Sequence, residues 1–308
     1  MGQEAVAFVF PGQGSQFIGM GQELVTFSEA RQVFAQADEV LGFALSRLFL
    51  GGPEAELNDT INTQPAIVAH SIAALRVIEC RTSLNGQLRM VAGHSLGEFS
   101  ALVCAGALSF PDALKLVRER GRLMKLAGEQ HPGGMAAVLN LDRAKLERAC
   151  DEATRATEQP VQIANDNCPG QIVISGDKAA LEKAMELAKA YGAKRCVPLP
   201  ISIAAHSPLM AGAAQEFRAA LESAQWAEPR VPVVANATAR PAGRDAIDLL
   251  VAQLTSPVRW TESVQFMIGK GITRFIEVGP KDVLCGLIKR IDAAITTQPV
   301  ESVIRGQS

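Results

Sequence analysis

Hydrophobic residues form two kinds of pattern in the first 127 residues of the chain. Short continuous apolar runs that end in glycine or proline predict buried strands at residues 5–10 and 88–92. Apolar positions repeated every three to four residues predict amphipathic helices. These helices cover residues 29–41, 65–81, 96–107 and 111–127.

After Gly128 the pattern changes, and the sequence His131-Pro132-Gly133-Gly134 is typical of a linker. The following pattern predicts strands at 135–141, 161–164, 172–175 and 193–199, with helices at 143–157 and 178–191. The order β-α-β-β-α-β is that of a ferredoxin-like unit. We therefore predict a small domain, residues 128–199, inserted into a larger domain formed by residues 1–127 and 200–308.

The larger domain resumes at Pro200. Residues 201–204 have the pattern of an extended strand, and Ser207-Pro208 supplies an N-cap and a first-turn proline for a helix. Further strands are predicted at 231–235 and 274–278, separated and followed by helices. Alternating strands and helices predict an α/β fold in which a mostly parallel sheet is covered on both faces.

Composition narrows the function classes. The chain has 308 residues, of which 48% are hydrophobic and 20% charged, with a formal net charge of −2. We expect no nucleic-acid or membrane partner, because there is no basic excess and no apolar run approaches about 18 residues. The apolar N-terminal stretch lacks a preceding basic segment, which argues against a signal peptide. The six cysteines form no C-x-x-C pair, so we expect free thiols, no metal and a cytoplasmic location.

The pentapeptide Gly93-His94-Ser95-Leu96-Gly97 matches G-x-S-x-G. Such a match arises by chance in roughly one chain in ten of this length, so its context matters. A predicted strand precedes it and an apolar helix follows it, which is the strand–turn–helix setting of a nucleophile elbow. We predict that Ser95 is a nucleophile; the alternative is a glycine-rich turn with an inert serine.

A serine nucleophile requires a base, and the chain has four histidines. His70 lies in an apolar helix, His131 lies in the linker, and the side chain of His94 is expected to diverge from its neighbour Ser95. His206 follows the extended run 201–204 and precedes a helix, so we expect it at the carboxyl edge of the sheet beside the elbow. The alternative is a polar residue near a helix N-terminus.

Arg120 falls on the apolar arc of helix 111–127, between Leu116 and Ala113, when each residue advances about 100°. A buried guanidinium needs an anion. That anion is either a structural aspartate or glutamate, or a substrate carboxylate bound in bidentate fashion.

Backbone amides are needed to stabilise the oxyanion that serine attack creates. One is expected from Leu96 and a second from the turn Pro11-Gly12-Gln13-Gly14. This turn is not a nucleotide-binding loop, because Met20 follows Gly19 where a P-loop has lysine, and Phe17 replaces the third glycine of G-x-G-x-x-G.

Taken together, these motifs resemble those of the malonyl-CoA:acyl-carrier-protein transacylases over nearly the whole chain. The matching segments are FPGQGSQ at 10–16, GHSLGE at 93–98, Arg120-Gly121, the segment 202–206, NDNCPGQ at 165–171, PVRW at 257–260 and EVGP at 277–280. The resemblance implies an α/β-hydrolase-like domain with a ferredoxin-like insert, as the patterns predict.

The resemblance also implies roles for particular residues. Ser95 would be the nucleophile, His206 the base, and Arg120 the ligand of the malonyl carboxylate. The amides of Gln13 and Leu96 would form the oxyanion hole. The cleft would also be lined by Gln64, Asn165 and Gln253, and a main-chain carbonyl near Gln253 would orient the histidine. The implied partners are malonyl-CoA and the phosphopantetheine arm of acyl carrier protein, with no bound cofactor.

Two departures from the family pattern stand out. The common Gly-Pro-Gly-Lys is Gly279-Pro280-Lys281-Asp282 here, and Ala205 replaces the phenylalanine of many malonyl-selective polyketide relatives. Three alternatives to a malonyl transacylase follow from the sequence. They are a polyketide-pathway acyltransferase with other acyl selectivity, a serine thioesterase or other hydrolase, and a catalytically silent carrier-binding protein.

Overall fold

The computed structural model describes residues 5–82 and 84–306. The prediction about a signal peptide concerns mainly residues 1–4, which lie outside this range. In chain order the strands are β1 Val6–Phe10, β2 Leu88–Gly93, β3 Gly133–Leu139, β4 Val161–Cys168, β5 Gln171–Asp177, β6 Arg195–Pro198, β7 Val233–Ala235, β8 Arg240–Pro241, β9 Arg274–Glu277 and β10 Thr296–Pro299.

Helices connect most of these strands. The first seven are α1 Ser28–Leu41, α2 Leu45–Gly51, α3 Glu54–Leu57, α4 Thr60–Arg81, α5 Gly97–Cys104, α6 Phe110–Gln130 and α7 Arg143–Thr157. The others are α8 Lys178–Ala190, α9 Ala211–Ser223, α10 Ala246–Gln253, α11 Trp260–Gly269, α12 Val283–Ile291 and α13 Val300–Ile304. No helix in the described ranges is both long and apolar enough to cross a membrane.

The larger sheet has the strand order β10-β9-β1-β2-β7-β8, and all neighbours are parallel except β7 and β8. All five residues of β1 are fully buried, which explains its continuous apolar sequence. Val6, Phe8 and Phe10 belong to the hydrophobic core on one face, whereas Ala7 and Val9 belong to the core on the other. The prediction of an α/β fold with a mostly parallel sheet covered on both faces is confirmed.

The smaller sheet has the order β4-β5-β3-β6, and its neighbouring strands are antiparallel. Helices α7 and α8 pack on it around a separate hydrophobic core. The element order β3-α7-β4-β5-α8-β6 is the one predicted for residues 128–199. However, α6 continues to Gln130, and β3 already includes part of the predicted linker.

Some predicted elements differ from those observed. The strand predicted at 201–204 is wrong: this segment has irregular structure and joins neither sheet. The alternating sequence Ile201-Ser202-Ile203 reflects packing against the hydrophobic core, because both isoleucines contact the core from a loop. Helix α4 begins at Thr60 rather than Pro65, because the side chain of Asp59 caps it by accepting a hydrogen bond from the Ile61 amide.

Candidate active site

Ser95 lies on a tight turn between β2 and α5 and has a positive φ of 51°. The turn is possible because its flanking glycines have no side chain. A Cβ on Gly93 would lie 1.9 Å from the carbonyl carbon of Gly97, and a Cβ on Gly97 would lie 2.0 Å from the Phe10 oxygen. The geometry is that of a nucleophile elbow, in which strand and helix approach too closely for larger residues.

Asn236 holds this turn from the end of the neighbouring strand β7. Its Oδ1 accepts a hydrogen bond from the Ser95 amide (2.6 Å), and its Nδ2 donates to the Gly93 oxygen (2.6 Å). Because Asn236 binds both a backbone donor and a backbone acceptor of the turn, it fixes the strained conformation of Ser95. Asn236 was not predicted from the sequence, although it follows directly after a predicted strand at the carboxyl edge of the sheet.

His206 lies beside Ser95, with 2.8 Å between His206 Nε2 and Ser95 Oγ. The expectation that His206 follows a strand of the sheet is wrong, because residues 201–204 have irregular structure. Instead, the imidazole is positioned by hydrogen bonds: its Nδ1 lies 2.7 Å from the main-chain oxygen of Gln253. The main-chain oxygen of His206 accepts from Gln162 Nε2 on β4 (2.8 Å), a contact that the sequence did not indicate.

The imidazole of His206 is in the neutral form that a general base requires. Burial lowers its pKa to about 3, and the nearby positive charge of Arg120 acts in the same direction. The imidazole is therefore uncharged at neutral pH and able to accept a proton. The carbonyl of Gln253 favours the tautomer with hydrogen on Nδ1, which leaves the Nε2 lone pair facing the serine hydroxyl.

The other histidines occupy positions unlike that of a base for Ser95. His94 Nε2 lies 2.8 Å from Asn167 Oδ1, and the His94 ring contacts Trp260 edge to face. His70 is buried in α4, where burial lowers its pKa to about 4. His131 caps the end of α6.

Arg120 is buried, with 2% of its surface exposed, and its guanidinium reaches the nucleophile. It donates hydrogen bonds to Ser95 Oγ (3.2 Å), Gln64 Oε1 (2.9 Å) and Gln253 Oε1 (3.0 Å). These acceptors are a hydroxyl and two neutral amide oxygens, and no carboxylate in the described part of the chain bonds directly to the guanidinium. Burial lowers the pKa of Arg120 to about 10, and the guanidinium therefore stays protonated at neutral pH.

A cavity of about 370 Å³ opens above these groups, between the larger and the smaller sheet. Ser95, His206, Arg120 and Asn165 line it, together with Gln13 and Leu96. Within the described residues, neither the Gln13 amide nor the Leu96 amide donates a hydrogen bond to the protein. Backbone amides that lie at a cavity and have no acceptor within the protein are available to a developing oxyanion.

Two predicted cleft residues lie elsewhere. Gln64 and Gln253 are buried behind Arg120, with 0% and 1% exposure, and they do not line the cavity. Gln64 contacts the site through Arg120, whereas Gln253 contacts Arg120, the Ser95 oxygen and the His206 imidazole directly. The described part of the chain contains no group of three or more histidine, cysteine or acidic side chains that could hold a metal ion.

Of the two departures from the family pattern, one lines the cavity and the other contacts a residue that lines it. Lys281 has a positive φ of 65°. Its Nζ donates a hydrogen bond to the Gly14 oxygen (3.1 Å), so the lysine side chain contacts the turn formed by residues 11–14. Ala205 borders the cavity beside His206.

Comparison with known proteins agrees with this geometry. The acyl transferase domain family matches residues 7–303. The chain is 46% identical over 294 residues to the malonyl CoA-acyl carrier protein transacylase of Escherichia coli (strain K12), with 94% of each protein covered. The structure of the malonyl CoA-acyl carrier protein transacylase from Coxiella burnetii matches with a TM-score of 0.94, at 38% identity and 98% coverage of each chain.

A further solved structure is described as a type II PKS acyl-carrier protein in complex with its malonyl-transacylase. It matches with a TM-score of 0.92 at 41% identity, covering 98% of this chain and all of that one (100%). The fold, the elbow geometry and these similarities lead to one conclusion: the chain belongs to the acyl transferase family and groups there with the malonyl CoA-acyl carrier protein transacylases.

Proposed function

We propose that this protein transfers a malonyl group from malonyl-CoA to the phosphopantetheine thiol of acyl carrier protein through an ester on Ser95. One observation carries the proposal. A buried, protonated arginine touches the nucleophile, and its hydrogen-bond acceptors are neutral. A guanidinium in that position is suited to bind an acyl group that ends in a carboxylate.

The first half-reaction loads the enzyme. His206 Nε2 accepts the Ser95 hydroxyl proton as Oγ attacks the thioester carbonyl, and the amides of Gln13 and Leu96 stabilise the oxyanion. The carbon–sulfur bond then breaks, and the CoA thiolate leaves with the proton from His206. The second half-reaction runs in reverse order with the carrier's thiol as the nucleophile, which restores the Ser95 hydroxyl.

Arg120 has a second effect in this mechanism, because its charge helps to lower the pKa of His206. A carboxylate bound to Arg120 would offset that charge and raise the basicity of His206. Malonyl binding would thus strengthen the base at the moment at which it is needed. An acetyl group, which carries no charge, would not.

The other parts of the proposal concern organisation and context. We propose a small inserted domain starting near residue 131, supported by its separate sheet and core. We also propose a cytoplasmic location, a reaction without a resident cofactor, and roles for Gln64 and Gln253 as supports of Arg120. Because a 41% identical relative is described with a type II PKS carrier, the proposal names the carrier class and no pathway.

The test is the intact-protein mass after brief mixing with malonyl-CoA without carrier, for the wild type and for Ser95→Ala. We expect the wild type to gain one malonyl group and Ser95→Ala to gain none. Release of free malonate without a covalent adduct would instead identify a hydrolase. No adduct and no turnover would refute the malonyl assignment.

A further inference from the structure

Glu98 is a buried carboxylate within the site that the mechanism above leaves unused. It lies in the first turn of α5, three residues after Ser95, and 2% of its surface is exposed. One of its oxygens, Oε2, accepts two hydrogen bonds, from Gln253 Nε2 (2.7 Å) and from the Asn236 amide (3.2 Å). Both donors also touch the elbow, because the Gln253 amide group donates to the Ser95 oxygen (3.0 Å) and Asn236 binds the Ser95 amide.

The side-chain amide of Gln253 joins Glu98 to Arg120. Its Nε2 donates to Glu98, and its Oε1 accepts from Arg120 Nη2. Since an amide has one donating end and one accepting end, a carboxylate at the nitrogen end turns the oxygen end towards the guanidinium. Glu98 and Arg120 are therefore opposite buried charges separated by a single amide group, and each reduces the cost of burying the other.

Loading a malonyl group changes this balance. The free site contains one positive and one negative buried charge, and the malonyl carboxylate brings a second negative charge to Arg120. Like charges in one buried site disfavour ionisation of a carboxyl group. We propose that Glu98 takes up a proton when the malonyl group binds, so that the site keeps its net charge; this inference rests on the proposed binding of the malonyl carboxylate to Arg120.

The electrostatic surroundings of Glu98 support this proposal. Burial raises the pKa of Glu98 to about 7, against the effects of its hydrogen bonds from Gln253 and Asn236 and the charge of Arg120. Of the elements packed against α5, α6 carries Arg120, whose charge acts on Glu98; the titratable side chain of His70 lies on α4, and that of His94 lies in the elbow. Burial lowers the pKa of both histidines, and that of His206, so they stay neutral in the range that matters.

The sign of the effect follows from linkage. Above pH 7 the free enzyme has an ionised Glu98, and the malonyl-bound form, with a higher pKa, retains the proton. Binding then takes up a proton, so malonyl affinity falls as the pH rises, by up to roughly tenfold per pH unit. An acetyl group brings no charge, and its binding should not depend on Glu98 ionisation.

The first experiment measures kcat/KM for malonyl-CoA and for acetyl-CoA between pH 6 and pH 9 and takes their ratio. The ratio cancels the titration of the CoA phosphates and of groups needed for both substrates. We expect it to fall above pH 7 in the wild type. In Glu98→Gln, the side-chain amide oxygen can accept the two hydrogen bonds that Glu98 Oε2 accepts in the wild type, so the geometry is kept. The ratio of this variant should be independent of pH.

A matched control is Glu119→Gln. Glu119 is next to Arg120 in sequence, but its side chain is about one-third exposed and paired with Arg122, so this variant should keep the wild-type slope. A second measurement needs no variant. Calorimetry of loading at pH 8 in two buffers of different ionisation enthalpy should show about one more proton taken up with malonyl-CoA than with acetyl-CoA. Equal proton uptake for the two substrates, or a wild-type slope in Glu98→Gln, would overturn the inference.

Arg120→Ala separates this inference from the proposed function. If the substitution leaves the malonyl-to-acetyl ratio unchanged at every pH, Arg120 does not bind the carboxylate and the proposed function fails with it. If the substitution lowers the ratio while the wild type and Glu98→Gln share one pH dependence, the Glu98 inference alone is wrong.

Discussion

The guanidinium of Arg120 is bound by neutral groups, so its positive charge can still attract an anionic ligand. Its nitrogens Nη1 and Nη2 bond to neutral oxygens, and its buried Nε has no hydrogen-bond partner in the described residues. A buried cation bound only by dipoles is costly, and the field of Glu98 offsets that cost only in part. An incoming carboxylate would relieve this cost, which gives the site a physical reason to prefer acyl groups that carry one.

Arg120→Ala should therefore lower kcat/KM for malonyl transfer by about ten- to a hundredfold, equivalent to roughly 1.5–3 kcal/mol for a charged hydrogen bond. Acetyl transfer should fall much less or rise. Steady-state kinetics with both acyl-CoAs test this. Arg122→Ala, an exposed arginine on the same helix, serves as the control and should leave both rates nearly unchanged. Equal losses for both substrates in Arg120→Ala would contradict the role given to Arg120.

At this scale, local patterns were sufficient for some residues and insufficient for others. Ser95 and Arg120 were predictable because a motif and a helical arc mark them within a few positions. Asn236 and Gln162 were not, because their partners lie 141 and 44 residues away in sequence, and such contacts exist only once the sheets are formed. Gln64 and Gln253 were named from resemblance, but that could not reveal that they stand behind Arg120 rather than in the cavity.

Among the elements, the elbow joining β2 to α5 has the least tolerance for change. A methyl group on Gly97 would overlap the Phe10 oxygen, which belongs to the backbone of β1 and cannot move aside easily. Any adjustment would have to displace α5 and, with it, Ser95 and Leu96.

Gly97→Ala should destabilise the protein by about 1–3 kcal/mol, as overpacking does, and should remove most activity by shifting Ser95 away from His206. Denaturant unfolding and the malonyl-loading assay measure the two effects. Gly212→Ala on α9 is the matched control, because a Cβ there meets no atom within 4 Å. A fully active, fully stable Gly97→Ala variant would show that the close approach of β1 and α5 is not required.

Helix α12, on one side of the cavity, is tied to the larger sheet by Glu277. This carboxyl group is fully buried, and its Oε2 accepts a hydrogen bond from the Cys285 amide (2.8 Å) in the first turn of α12. Burial raises the pKa of Glu277 to about 7 from an ordinary value of 4.5. A raised pKa in the folded state means that its contribution to stability is greatest below pH 4.5 and is lost as the pH rises through 7.

Glu277→Gln cannot ionise, so its stability should not follow this loss. Between pH 5.5 and pH 8.5, the free energy of unfolding of the variant should gain about 2 kcal/mol relative to the wild type. Urea unfolding at the two pH values gives this difference, and Glu182→Gln at an exposed position of α8 provides the baseline. A difference between variant and wild type that stays constant with pH would mean that Glu277 does not titrate in this window.

Element prediction succeeded where burial dictated the sequence and failed where it did not. Strand β1 is apolar throughout because both of its faces are covered, and the apolar run revealed it. Strand β10 was missed because its sequence, Thr-Thr-Gln-Pro, is polar and lies at the edge of the sheet. Residues 201–204 were mistaken for a strand because isoleucines that contact the core from a loop show the same alternation.

On the scale of the whole molecule, the cavity depends on how the two sheets are held together. A main-chain bridge joins Asn165 on β4 to Val258, just before α11. Beside it, Asp166 accepts hydrogen bonds from Arg143 Nη1 (2.6 Å) on α7 and from Thr261 Oγ1 (2.8 Å) on α11. Sequence patterns predicted the two units but gave no sign of this connection, since it joins residues about a hundred positions apart.

An acyl-enzyme must exclude water from its ester until the carrier arrives, so a looser connection should raise hydrolysis. Asp166→Ala removes both side-chain bonds and should lower the free energy of unfolding by about 1.5–3 kcal/mol. It should also raise the ratio of free malonate released to malonyl transferred, measured by chromatography with carrier present. Arg148→Ala breaks an exposed ion pair on the outer surface of α7 and should leave that ratio unchanged. If Asp166→Ala is destabilised yet loses no more malonyl to water than the wild type, contact between the sheets does not protect the ester, and protection has to come from the cavity walls nearest Ser95.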